Sequence, residues 1–185
     1  MDLYAYAQIE DLKHLLEENK IDIPRLRGLR LMKDEELITD DDMEKRISEE
    51  QKNYAVNWLK QHCDWCWSSD KEDKRHKSFI YGKDEYGERT VVGIDFSKVH
   101  GKDRKHIKYH WKMIRKAFTA QYEMWNRYVG KNILYVHARL GSTNWSDYKI
   151  DEKHPMFLEH IDDAWDTSYC DIYYDLDKGV QNEEQ

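Results

Sequence analysis

The apolar positions of this chain change period at one glycine, Gly130, and that change constrains the fold more than any other feature. Before it, Ile107, Trp111, Ile114, Phe118, Tyr122, Trp125 and Val129 share one arc of a helix over roughly residues 103–129. After it, "NILYVHARL" (132–140) alternates, with Leu134, Val136, Ala138 and Leu140 on one side of a strand. Ile133, Tyr135, His137 and Arg139 fall on the other side. Glycine tolerates the left-handed backbone that ends many helices, so Gly130 reads as the stop between the two elements.

The rest of the chain supplies their partners. Residues 3–20 carry Leu3, Ala7, Ile9, Leu12, Leu15 and Leu16 near one helical stripe. Pro24 and Gly28 punctuate residues 21–38, which read as irregular with room for one short strand. "TDDD" (39–42) starts a second helix, with Thr39 or Asp40 as cap and acids in its first turn, running to about Cys66. Residues 68–77 read as a charged surface loop, and "SFIYGKDEYGERTVVGIDFS" as a hairpin turning around Gly82 and Gly87. "GSTN" (141–144) reads as a turn, Pro155 as the opening of a short helix to about Trp165, and "SYCDIYYDL" (168–176) as a further alternating strand. About four helices and three or four strands, segregated along the chain, predict an α+β fold. Its small antiparallel sheet is expected to be covered by helices on one side. The 185 residues suit a single domain, with 177–185 as a frayed tail.

A mean hydropathy of -1.01 would suit a disordered chain, but the 13% of aromatic residues argues for a folded one. No run approaches the ~18 apolar residues of a membrane helix, and the start "MDLYAYAQIEDLK" lacks the pattern of a secretory signal. Three cysteines in a Lys/Glu-rich chain suit a reducing compartment, so a soluble cytoplasmic protein is expected. The net charge of -7 is unevenly spread. Residues 98–146 hold 11 Lys+Arg against 2 Asp+Glu, while 147–185 hold 3 against 12 and 1–50 hold 8 against 15. A local basic field of that kind attracts polyanions even on an acidic chain, unless the acidic ends fold over it.

The cations concentrate on the long helix. Arg104, Lys105, Lys108, Lys112, Arg115 and Lys116 lie within an arc of about 140° beside the apolar stripe, with His106 and His110 on the opposite flank. Phosphate backbone is the natural counter-charge for such a face. On the neighbouring strand, His137 and Arg139 pair a group that exchanges protons near neutral pH with a fork-shaped phosphate binder. Tyr135, with Tyr173, Asp171 and Asp175 of the last strand, would share that face, and tyrosines there could stack on unpaired bases. Alternatively Arg139 pairs with Asp171 or Asp175 across the strands and His137 caps that network.

Metal-independent RNA cleavage needs a base, an acid and a cation, which His137, Arg139 and one of His100, His106 or His110 could supply. No cofactor is then required. A Mg²⁺ mechanism would instead draw on Asp95, Asp171 and Asp175 as oxygen ligands. Cys63-x-x-Cys66 lacks a second pair, so buried thiols are favoured over a structural zinc. A phosphate-binding glycine loop, HExxH and a nucleophile elbow are all absent, which disfavours nucleotide hydrolysis and serine hydrolase chemistry.

Four blocks, "PRLRGLRLMKDEE", "VVGIDFSKVHGKDRKHIKYHWK", "ILYVHARLGSTNW" and "FLEHIDDAWDTSYCDIY", together resemble an uncharacterised family of small proteins. Its members are carried on prophages and conjugative elements of Gram-positive bacteria. The resemblance covers most of the chain beyond residue 20. His137, Ala138, Arg139, Gly141, Asn144 and Trp145 stand at the matching positions, and Ser142 departs from an expected glycine. It implies an accessory protein of a mobile element, a setting in which anti-CRISPR inhibitors of RNA-guided effectors are frequent. Three readings follow from residues and resemblance together. The first is a protein that binds RNA, another nucleic acid or a ribonucleoprotein such as a CRISPR effector with its guide, with no membrane partner. The second is an endoribonuclease centred on His137 and Arg139. The third is a structural or regulatory protein whose charges neutralise one another internally.

Overall fold

A computed structural model describes residues 3–23, 25–62, 77–139, 150–162 and 168–182. In chain order these form α1 (Leu3–Glu18), β1 (Leu26–Leu31), α2 (Asp40–Gln61), β2 (Phe79–Lys83), β3 (Arg89–Ile94), α3 (Gly101–Tyr128), β4 (Ile133–Arg139), β5 (Phe157–Asp162) and β6 (Tyr169–Asp175). The fold is α+β. Contacts divide it into two compact units, Met1–Ile38 with Glu123–Gln185, and Thr39–Tyr122.

The first unit is built on a four-stranded antiparallel sheet in the order β1-β4-β6-β5. The alternation read in 132–140 sets β4 at its centre: Leu134, Val136 and Ala138 are fully buried. Ile9, Leu12, Leu15 and Leu16 of α1 pack on that side together with Ile21, Leu29 and Ile172. The other side is covered in part by the last turns of α3, where Met124, Trp125 and Tyr128 meet Met32, Ile133 and Tyr173. Helices therefore cover both sides of the sheet rather than one, because β4 offers Ile133 and Tyr135 to one helix and Leu134 and Val136 to the other.

The second unit holds α2, the β2–β3 hairpin and α3 as far as Tyr122. Thr39 caps α2 by accepting from Asp42 N at 3.2 Å. Ala55, Leu59, Phe79, Val99 and Ile107 form its core. Trp111 and Gln51 exchange bonds across the two helices: Trp111 Nε1 donates to Gln51 O at 2.8 Å, and Gln51 Nε2 donates to Trp111 O at 3.1 Å.

One expectation is corrected. The helix read from Pro155 to Trp165 is, where described, the strand β5, paired with β6 from Phe157↔Tyr174 to Asp162↔Cys170. Pro155 suits a helix start, but β6 has a free edge there whose backbone groups need partners, and the ladder wins over local propensity. The described residues accordingly hold three α-helices and six strands. Leu176–Asn182, which overlaps the segment 177–185 read as a tail, is a 3-10 helix. Pro24, the Cys63-x-x-Cys66 motif, the turn at 141–144 and most of the loop at 68–77 lie outside the described residues. Among the described residues no helix is long and apolar enough to cross a membrane.

Candidate functional site

Within the second unit, α3 sorts its six cations into two kinds. Arg104 is half-buried, donates to the carbonyls of Ser97 and Val99 at 3.1 and 3.2 Å, and lies over the Phe96 ring. Arg115 forms a two-pronged pair with Glu44 of α2 at 2.6 and 2.9 Å. Mutual hydrogen bonding and charge hold Glu44 below the usual carboxylate range and Arg115 above its own. Both arginines thus serve the unit's own structure. Lys105, Lys108, Lys112 and Lys116 are exposed and have no acidic partner among the described residues. Lys108 lies over an aromatic ring, its ammonium 5.7 Å from the Phe96 centroid. Over a rise of about 16 Å from Lys105 to Lys116, these four ammonium groups form an uncompensated strip.

His106 and His110 occupy the flank turned toward α2. Tyr54 Oη and His106 Nε2 are 2.9 Å apart, and Trp58 stacks on His106 with centroids 4.5 Å apart. His110 stacks on Tyr54 at 4.7 Å. Burial and the adjacent His106 lower the pKa of His110. The two histidines join the helices and do not contribute to the lysine strip.

The first unit carries the histidine. Antiparallel register sets His137 directly opposite Asp171, and His137 Nδ1 donates to Asp171 Oδ1 at 2.8 Å. Tyr135 Oη donates to the same oxygen, also at 2.8 Å. Asp171 is 9% exposed and His137 30% exposed, so a buried carboxylate orients an imidazole that reaches solvent. With Nδ1 engaged by the carboxylate, Nε2 is the ring nitrogen left facing away from the dyad. The His137 ring stacks on Tyr169 at 5.3 Å and 6°, and the Arg139 guanidinium lies 5.9 Å from the same tyrosine centroid. On its other side His137 faces Gly28 of β1, which adds no side chain over the ring.

Sequence reasoning placed His137, Arg139, Tyr135 and Asp171 on one face, and the structure brings them together there. The pairing differs: His137 and Tyr135 bond to Asp171, where a cross-strand pair with Arg139 was the alternative. Tyr135 is half-buried, with its hydroxyl committed to Asp171 and its ring edge-on to Trp125 at 5.5 Å. Burial first, then the Asp171 charge and hydrogen bond, raise its pKa far above an ordinary phenol. Tyr173 is buried at 1% exposure. Tyr169 is the ring beside His137; alternation along 168–176 sets it on the face of Asp171, and the strand register brings it to His137. His100, His106 and His110 belong to the other unit.

Among the described residues no group of three His, Cys, Asp or Glu side chains could hold a metal ion. Asp95 stands in the second unit, its oxygens engaged by Ser97 and Lys98, and these bonds keep its pKa below the usual range. Asp175 accepts the Asp177 backbone N–H at 3.1 Å, four residues along the strand from Asp171. Of the three carboxylates nominated for Mg²⁺, Asp171 and Asp175 share β6 of the first unit and Asp95 belongs to the second. The chain matches no family model, no curated protein and no solved structure.

Proposed function

We propose that this chain is a nucleic-acid-binding or nucleoprotein-binding protein that makes its contact through the exposed lysines of α3. The observation that carries the reading is the strip of Lys105, Lys108, Lys112 and Lys116, exposed and without acidic partners among the described residues. Four like charges at helical i, i+3 and i, i+4 spacing repel one another unless an anion lies over them. The resemblance to proteins of prophages and conjugative elements makes an accessory factor of a mobile element the natural setting. An RNA-guided CRISPR effector with its guide RNA is then the partner to test first, in the cytoplasm of the host cell, with inhibition as the outcome.

A second reading is endoribonuclease activity, favoured by one specific observation: Asp171 holds His137 with Nε2 directed away from the dyad. There His137 would take the proton of a ribose 2′-hydroxyl, the resulting oxygen would attack the adjacent phosphorus, and Arg139 would offset the charge gathered on its oxygens. The departing 5′-oxygen would take a proton from solvent.

One experiment addresses both. The intact protein is mixed with single-stranded RNA, a structured guide RNA and duplex DNA in a gel-shift panel, and the RNA is inspected for shortened products. Lys108→Glu/Lys112→Glu/Lys116→Glu is expected to lower affinity at least about tenfold at unchanged thermal stability. Unchanged binding by this variant removes the first reading. Cleavage that disappears in His137→Ala supports the second, and intact RNA throughout removes it.

A further inference from the structure

We propose that the α3 face takes single-stranded nucleic acid, with Tyr109 stacking on an unpaired base between the phosphate-contacting lysines; this rests on the binding reading given above. Tyr109 was not singled out by charge or by core periodicity, because it belongs to neither pattern. In the structure it is 61% exposed, and its neighbour one helical turn on, Met113, is 47% exposed. These are the two exposed large apolar side chains of α3. They lie in the row 105, 109, 113, beside the row 108, 112, 116, so Tyr109 is flanked by Lys105 and Lys112 on the helix surface.

An exposed tyrosine forgoes the gain of burying its ring, and this one is not drawn into the core that holds Ile107 and Ile114. Its ring contact is an edge-type approach to His110 with centroids 5.4 Å apart, which together with its exposure leaves a ring face open to solvent. A cationic strip tracks a phosphate backbone whether the strand is single or paired. An open aromatic face among the cations discriminates, because bases within a duplex are already stacked on each other, whereas an unpaired base can stack on the ring. Met113 extends the apolar strip by one turn and offers a polarizable surface to the next base.

The test measures anisotropy of a labelled single-stranded RNA of about 15 nucleotides, the same sequence as a duplex, and poly-glutamate. Proteins are the wild type, Tyr109→Leu, Tyr109→Phe and Lys112→Glu/Lys116→Glu. Tyr109→Leu is expected to weaken single-strand binding roughly tenfold or more, to leave duplex binding within about twofold, and to leave the melting temperature unchanged because the residue is exposed. Tyr109→Phe keeps the ring and retains near wild-type affinity. If the lysine variant loses binding while Tyr109→Leu binds the single strand normally, the stacking inference falls and the binding reading stands. Equal losses on single strand and duplex also overturn it. A wild type that binds poly-glutamate as tightly and as salt-sensitively as RNA also overturns the inference and assigns the face to an anionic protein. Wild type that binds no nucleic acid at all overturns both.

Discussion

At the scale of single residues, Asp171 organises the sheet face. A buried carboxylate is costly unless hydrogen-bonded, and here one oxygen accepts from both His137 and Tyr135. Sequence alternation placed all three side chains on one face, but which of them would meet depended on register, and an offset of two residues would have given Arg139 the carboxylate instead. The same buried surroundings shape the neutral acids nearby. Burial first, with Asp171 and Asp162 adding to it, pushes the Cys170 thiol from 9.0 up to about 12. Burial and the hydrogen bond to Glu159 push the Tyr128 phenol from 10.0 up to about 12, and Tyr135 and Tyr173 are raised further. A group whose folded pKa is raised holds its proton more tightly when folded. Its stabilising effect is whole below the unfolded value and is lost as pH climbs toward the folded one. The urea midpoint is therefore expected to hold steady to about pH 9 and then to fall steeply toward about pH 12, by free energies on the order of a few kcal/mol. Cys170→Ala should delay the onset to about pH 10, where the tyrosines begin. A midpoint that stays level from about pH 8 to about pH 11 would contradict this account.

At the scale of elements, the Gly130 stop was legible because its cause is local. Gly130 has φ +77, a Cβ there would meet nothing within 4 Å, and its N–H donates to Met32 O at 3.0 Å. Gly130→Ala should cost about 1–2 kcal/mol from backbone strain alone, read as a lower urea midpoint at constant slope, with Gly130→Asn milder. A neutral alanine would mean that the stop does not depend on left-handed backbone. The core arc of α3 was only partly legible. Ile107 and Ile114 are fully buried as expected, but Met124 and Tyr128, outside the predicted arc, are buried as well. A single 3.6-residue stripe assumes one partner along the helix, whereas α3 packs with α2 and the hairpin in one unit and on the sheet in the other. β5 escaped detection for a related reason: "FLEHID" has no alternation of its own, and its pairing with β6 makes it a strand.

At the scale of the whole molecule, the charge pattern sets how binding responds to salt. If the four free lysines of α3 meet the phosphates of a single strand, log K should fall with log salt at a slope of about −3. The Lys112→Glu/Lys116→Glu variant should roughly halve it. A slope near zero would separate any binding from the lysine strip. Outside residues 98–146 the chain has 19 Lys+Arg against 35 Asp+Glu, so further copies of a polyanion are repelled and a single site per chain is expected. By itself the sequence determined the helices, the hairpin, the β4 and β6 alternation, the Gly130 stop and the clustering of cations on α3, because each is written in the spacing of neighbouring residues. Tertiary structure alone decided that β5 is a strand, that both sides of the sheet are covered, that His137 rather than Arg139 meets Asp171, and that two of six cations are spent on Glu44 and on carbonyls near Phe96. Those outcomes depend on register and on contacts between residues far apart in the chain, and no local period encodes which distant group will satisfy a buried charge.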